Sequence, residues 1–303
     1  MRKMWLALSM GATLWIAGCS GSGSKWGFLR NSPEQSRLPE GKPTEAQLVN
    51  YLNSNAKQIQ SIECADVDLD VKSGSQSFGM QALMACRKNR NFRLKASAIG
   101  NPQADLGSND QEFWFWIAKA DPPYQYHCSY ADLNNRGREI QLPFPIQPEW
   151  VMEALGMAEY DPAGQYTLTP NRGLLLLTQQ SVTPQGMPVR KVTVFDSNAR
   201  SRVPVRAHIL QDEKGKEICS AHIADAQVIG GAVVPTRIVL SWPTQRLELK
   251  MKLNSPRLNQ LDPTSATRLF TRQPLANVQA YDLVHGLDGA SSQLAPVGGT
   301  FAR

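Results

Sequence analysis

Gly107-Ser-Asn-Asp-Gln-Glu-Phe-Trp-Phe-Trp-Ile-Ala-Lys-Ala-Asp-Pro122 is the stretch on which the fold turns. A turn-like run at 107–110 feeds five consecutive large apolar residues, Phe113–Ile117, and Asp121-Pro122-Pro123 closes the segment. So short an aromatic run between turn residues reads as a strand rather than a helix. In a strand, Phe113, Phe115 and Ile117 share one face, and Trp114 and Trp116 share the other. Both faces are apolar, so each needs a cover.

Working outward, Thr44-Glu45-Ala46-Gln47 has the form of a capping box, and Leu48, Tyr51, Leu52 and Ile59 follow at helical spacing. The spacing predicts an amphipathic helix over 44–59 that lays its apolar stripe on another element. From Ser61 the period changes to two. Ala65, Val67, Leu69 and Val71 alternate with Asp66, Asp68 and Asp70. Phe78, Met80, Ala82, Met84 and Cys86 line one face of the next segment, and Phe92, Leu94 and Ala96 oppose Arg93, Lys95 and Ser97. This is an antiparallel meander with one wet face. It continues through 103–106 and the aromatic strand to 124–128. Residues 129–145 read as irregular, and Pro148-Glu149-Trp150-Val151 opens a second short helix ending near Gly156.

Strands then dominate to about 254. The last of them sets Leu247, Leu249, Met251 and Leu253 against Arg246, Glu248, Lys250 and Lys252. Leu174–Leu177, like Phe113–Ile117, is apolar on both faces, and the two helices are the natural covers. Residues 257–303 lose periodicity and read as an irregular tail. Phe270, Leu275 and 281–284 are candidates for a small packed appendage, and 286–303 are expected to be disordered.

The N-terminus has a different character. Arg2 and Lys3 precede an apolar run, Met4–Ile16, which is shorter than the ~20 residues a spanning helix needs. Ile16-Ala17-Gly18-Cys19 follows and resembles the lipobox of bacterial lipoproteins. That resemblance implies a signal peptide over 1–18, cleavage before Cys19, and lipidation of Cys19 with palmitate-type acyl chains. Ser20 rather than Asp follows the cysteine, a pattern that implies the outer membrane, facing the periplasm. Residues 19–43, rich in Ser, Gly, Pro and charge, read as a lipidated tether. Loss of Arg2 and Lys3 lowers the formal charge from +6 to +4, mildly basic and far from the dense basic stripe of a nucleic-acid binder.

The order of helix, meander and a strand of the form Ser-Asn-Asp-x-x-Phe-Trp-Phe-Trp-x-x-x-x-Asp-Pro resembles the Lol-type lipoprotein-sorting proteins. The matching positions are Asn109, Asp110, Trp114, Trp116, Asp121 and Pro122, with Val233–Ile238 similar to a late strand of that family. The resemblance spans roughly 44–254. It implies a mainly β fold: an unclosed antiparallel β-barrel of about eleven strands over 44–256, with short helices covering a greasy cavity. It also implies a binding role toward lipid or lipoprotein acyl chains, without chemistry or cofactor. The 129–145 insertion and the long tail depart from the family, and Arg87 and Arg93 both fit its lid-latching arginine.

For Phe113, Trp114, Phe115, Trp116 and Ile117, central core strand and cavity lining both remain open. Met80, Met84, Trp150 and Met251 join them as candidate lining residues, because Met adapts to irregular apolar guests. An exported chain permits disulfides, and Cys64 and Cys86 lie about equally far from the 73–75 turn, which makes them a candidate pair. No Cys-x-x-Cys or His pair suggests a metal. Asp66, Asp68 and Asp70 sit too far apart along a strand to hold a cation without other ligands. His127 and Cys128 point to opposite faces, and no Gly-x-Ser-x-Gly, His-Glu-x-x-His or phosphate-binding loop is present. The basic hairpin Arg87, Lys88, Arg90, Arg93 and Lys95 is either a soluble loop or a contact for anionic lipid heads or an envelope protein partner.

Overall fold

The computed structural model describes residues 37–136, 147–183 and 186–287. Helix α1 (Glu45–Gln58) leads into strands β1 (Ser61–Ser73), β2 (Gln76–Arg87), β3 (Asn91–Ala98), β4 (Asn101–Ser108), β5 (Glu112–Ile117) and β6 (Gln125–Ser129). Helices α2 (Tyr130–Arg136) and α3 (Pro148–Ala154) follow. Next come β7 (Tyr166–Asn171), β8 (Leu174–Val182), β9 (Pro188–Asp196), β10 (Val205–Asp212), β11 (Glu217–Ile229), β12 (Ala232–Trp242) and β13 (Leu247–Asn254). The chain continues through β14 (Arg257–Leu258), α4 (Pro263–Leu269), β15 (Ala280–Asp282) and β16 (Gly286–Leu287).

These strands form one unclosed sheet, in the order β16-β15-β6-β5-β4-β3-β2-β1-β13-β12-β11-β10-β9-β8-β7, with β14 beside β1. The fold is mainly β, as expected, but sixteen strands replace the expected eleven among the described residues. Part of the excess comes from the tail. β14 adds to β1, β15 runs parallel to β6, and β16 turns back on β15. Three short strands of the expected tail, β14, β15 and β16, thus join the sheet. No described helix is long and apolar enough to cross a membrane.

One face of the sheet, the inner one, packs into a core that joins β1–β6, β9–β13 and α3. A helix of seven residues is only ~10 Å long. It meets strands so far apart in the order only because the sheet curls around it. The α1 capping box forms as read: Gln47 N donates to Thr44 Oγ1 and Thr44 N to Gln47 Oε1. The helix then buries Leu48, Tyr51 and Leu52 against Leu177 and Phe195, the inner cover for Leu174–Leu177. Two asparagines fix it by imitating a backbone partner. Asn55 donates to Val233 O at 3.1 Å and accepts from Val233 N at 2.7 Å. Asn53 does the same with Tyr160, at 2.8 and 2.7 Å.

A bulge in β1 between Cys64 and Val67 shifts the register. It exposes Ala65 and buries Cys64, the reverse of strict alternation from Val71. It also answers the disulfide question. Cys64 lies opposite Met84 and Cys86 opposite Ile62, a diagonal of ~7–8 Å that exceeds the span a disulfide bridges. All four described cysteines are free and buried. Cys64 Sγ instead donates to backbone oxygens at 3.1 and 3.3 Å.

Candidate binding cleft

The aromatic strand β5 divides as its alternation requires. Phe113 and Phe115 face inward, where Phe113 meets Tyr130 and Phe115 stacks on Tyr126 with ring centroids 5.1 Å apart. Ile117 is half-buried and lies opposite Ala104, a member of the inner-face packing. Met84 and Met251 are buried in the same core, and Met80 packs at its margin. This part of the inner face is solid with side chains.

Trp114 and Trp116 take the outer face, and the tail covers Trp114. Trp114 is 1% exposed, with the Arg93 guanidinium 5.1 Å from its ring. A Cβ on Gly107, its cross-strand neighbour, would lie 2.2 Å from the indole, so glycine there lets the ring lie flat across β4. Arg93 pairs with Asp105 at 2.7 Å, and its other terminal nitrogen donates to Leu269 O and Thr271 O at the end of α4. Asn109 donates to Phe270 O and Gln125 to Gln273 O. Ala266 and Phe270 close over Ala85. The outer face of β5 is thus covered by the tail, and not by either of the two helices expected to cover it. Burial pushes the Asp105 carboxyl up and the Arg93 guanidinium down, against their mutual attraction. Between the two arginine candidates, Arg93 latches α4 on the outer face, while Arg87 lies over the Phe270 ring at 5.6 Å.

Open space lies elsewhere, on either side of α3. Pro148 starts this helix without an N–H to satisfy, and Gly156, at φ +78°, ends it. A Cβ at Gly156 would meet Asn55 Nδ2 at 2.9 Å, so the close approach of α3 to α1 requires glycine. Val151, Met152 and Ala154 enter the core. Trp150 stays at the edge of a small cavity, about 40 Å³, whose walls include Leu210, Ala221, Leu240 and Trp242. Among the nine lining residues expected from the sequence, Trp150 alone borders it. A second small cavity, about 30 Å³, lies between α1, α3 and the ends of β10–β12.

One polar network stands at the junction. Glu153, 13% exposed at its side chain, accepts from Tyr160 OH at 2.9 Å and from Lys191 Nζ at 3.3 Å. His208 Nδ1 lies 3.8 Å from Glu153 and 3.4 Å from the Thr193 hydroxyl. Burial pushes the Glu153 carboxyl up, but Lys191, His208 and Tyr160 outweigh it and hold it below the usual carboxylate range. Burial holds the His208 imidazole below its ordinary value, against the pull of Glu153. None of these residues was singled out from the sequence. The available signal was polar residues on an apolar face: Lys191 and Thr193 fall between Val189 and Phe195 on the same face of β9.

The basic hairpin is internally engaged. Lys88 pairs with Glu159, and Arg90 with Glu149 and the Tyr130 ring. On the outer face, Asp68 accepts from Gln81, Lys252 and Asn254. Residues 129–136, expected to be irregular, form the end of β6 and α2. Cys19, the signal peptide, most of the tether, 137–146 and the end of the tail lie outside the described residues.

No protein-family model matches the chain, and no curated protein matches it. Solved structures are similar to it at low identity. A DUF1329 family protein from Desulfovibrio piger aligns at 9% identity and TM-score 0.49, covering 74% of this chain and 97% of its own. A putative outer membrane lipoprotein-sorting protein domain from Vibrio parahaemolyticus aligns at 8% and 0.49, covering 74% and 95%. A LolA superfamily protein from Nitrosomonas europaea aligns at 12% and 0.44, covering 74% and 97%.

Proposed function

We propose that the protein is a lipid-anchored envelope protein that shelters an acyl chain, of a lipid or of a lipoprotein, in the cleft beside α3. The observation that carries this reading is the cleft itself: an apolar-walled cavity on the inner face of an unclosed sheet, beside a seven-residue helix, with Trp150 at its half-exposed edge. Each methylene moved from water into such a site gains ~0.8 kcal/mol. Binding and release then need no bond-making step, no cofactor and no metal.

The N-terminal sequence supplies the location. Lipidation of Cys19 and a tether through 43 would hold the body at the outer membrane on the periplasmic side, where acyl chains are at hand. Two or more chains make such an anchor stable.

Two measurements test the proposal. Native mass spectrometry and organic extraction of the purified protein should find bound acyl lipid; a preparation that neither carries nor takes up any acyl chain refutes the binding role. Cells fed labelled palmitate should incorporate it into the protein, and Cys19→Ala should abolish the label; undiminished label in that variant refutes the anchor.

A second reading, an envelope interaction protein with a filled barrel, draws on the solid packing of Met84, Met251, Phe113 and Phe115. Crosslinking in intact cells that captures one stoichiometric protein, without lipid, would favour it.

A further inference from the structure

We infer that Glu153 and His208 form a polar stop that limits the length of acyl chain the cleft accepts. The inference rests on the acyl-chain reading above and deepens it. Its basis is the way the two cavities meet. Each has its own apolar walls, and Glu153 and His208 are the two residues that line both.

The strands show how the cavities are arranged. On β11, Cys219 and Ala221 line the first cavity, and Ile223 and Ala226 line the second. On β10, Leu210 belongs to the first and Val205 to the second, with His208 between them and shared. On β12, Leu240 and Trp242 line the first, and Val233 and Pro235 the second. The cavities therefore lie end to end along the same three strands. The register His208–Ala221–Leu240 marks the level of the division. From Leu240 to Trp242 is two residues, so the first cavity runs only about 7 Å along the strands before it meets the pair.

The division is firmly built. Glu153 is held by Tyr160 and Lys191, and Tyr160 is itself fixed through its backbone by Asn53 of α1. An apolar chain that pushed through would strip partners from a buried carboxylate and offer none in return, a loss that outweighs the few methylenes gained. A chain entering beside Trp150 therefore stops at Glu153 and His208, and the second cavity stays out of its reach. Glu153 and His208 are thus the shared wall between the two cavities.

The test measures binding of saturated fatty acids of graded length, from butanoate to octadecanoate, to the purified full chain by native mass spectrometry with competition. For the native protein, affinity should rise with length and then stop rising. Glu153→Leu/His208→Leu should move that limit to longer chains, improving decanoate relative to hexanoate by a factor of roughly ten. Adding Ala158→Phe, which fills the second cavity, should cancel the gain. If affinity in the native protein keeps rising through octadecanoate, the stop is overturned whether or not the variant folds. A folded double variant with an unmoved limit overturns it too, and in both cases the acyl-chain reading survives. No binding at any length overturns that reading and the stop with it.

Discussion

Each face of the sheet holds a short helix in place through a buried charged group, and the two are built in opposite ways. On the outer face, Arg93 and Asp105 are sealed under α4, at 1% and 6% side-chain exposure. Burial drives both toward neutrality despite a 2.7 Å contact. For such a pair the lost hydration can exceed the attraction recovered, and what this one supplies is position: Arg93 also grips two carbonyls at the end of α4. On the inner face, Glu153 has three partners, one of them Lys191, 35% exposed, and its charge is favoured where it sits. The outer pair is sealed under α4, whereas the inner network borders a cavity on each side. A helix over a sheet strand is thus not by itself a lid: α4 completes the core of the aromatic strand, and α3 flanks open space.

The sharpest way to break this contrast is to remove one member of each. Arg93→Met leaves Asp105 buried without a partner and frees the α4 carbonyls, at an expected cost of about 3–5 kcal/mol in urea unfolding. Arg93→Met/Asp105→Leu should recover much of it. Equal losses in single and double variants would show that the pair is not the source. Glu153→Leu should cost less, about 1.5–3 kcal/mol, since Lys191 can turn to solvent. A loss as large as that of Arg93→Met would erase the distinction between the faces. Gly107→Ala sets a methyl into the Trp114 indole and should cost about 1–3 kcal/mol, with a change in Trp fluorescence. Unaltered fluorescence would mean that the ring does not depend on that glycine.

The regular parts of this molecule were legible because they are local. The capping box at Thr44, the alternation of β13 and the start of α3 each lie within a few consecutive residues. The two-faced apolarity of Phe113–Ile117 correctly demanded two covers. The second was missed because the tail declares itself poorly: α4 buries only Ala266, and β15 is three residues long. Arg93 reaches carbonyls 176 and 178 positions away, and a backbone acceptor leaves no trace in side-chain patterns. The cleft was missed for a related reason. Glu153, Lys191 and His208 come from three separate elements, so no local run of sequence brings them together. The bulge at Cys64–Val67 has no sequence mark at all, yet it decides which residues of β1 are inside.

The smallest expected effect is the one that separates the faces by sign. His208 has its folded-state value held below the ordinary 6.5 by burial. The folded protein therefore binds fewer protons there than the unfolded chain. The stability it contributes is complete above pH 6.5 and is lost as pH falls through the folded value, with a slope of at most about 1.4 kcal/mol per pH unit. Glu153, also lowered, adds a loss of the same sign in stronger acid, below the ordinary 4.5. Asp105 is raised instead. Its contribution is present below its unfolded value of 3.8 and declines as pH rises through the folded one, so acid relieves the outer face while it loads the inner one. Urea unfolding between pH 7.5 and about 5.5 should therefore show a downward trend that His208→Gln flattens and Arg93→Met/Asp105→Leu leaves in place. If the outer double variant flattens the trend and His208→Gln does not, the charged groups that respond to acid lie under α4, and the inner network is not the acid-sensitive element.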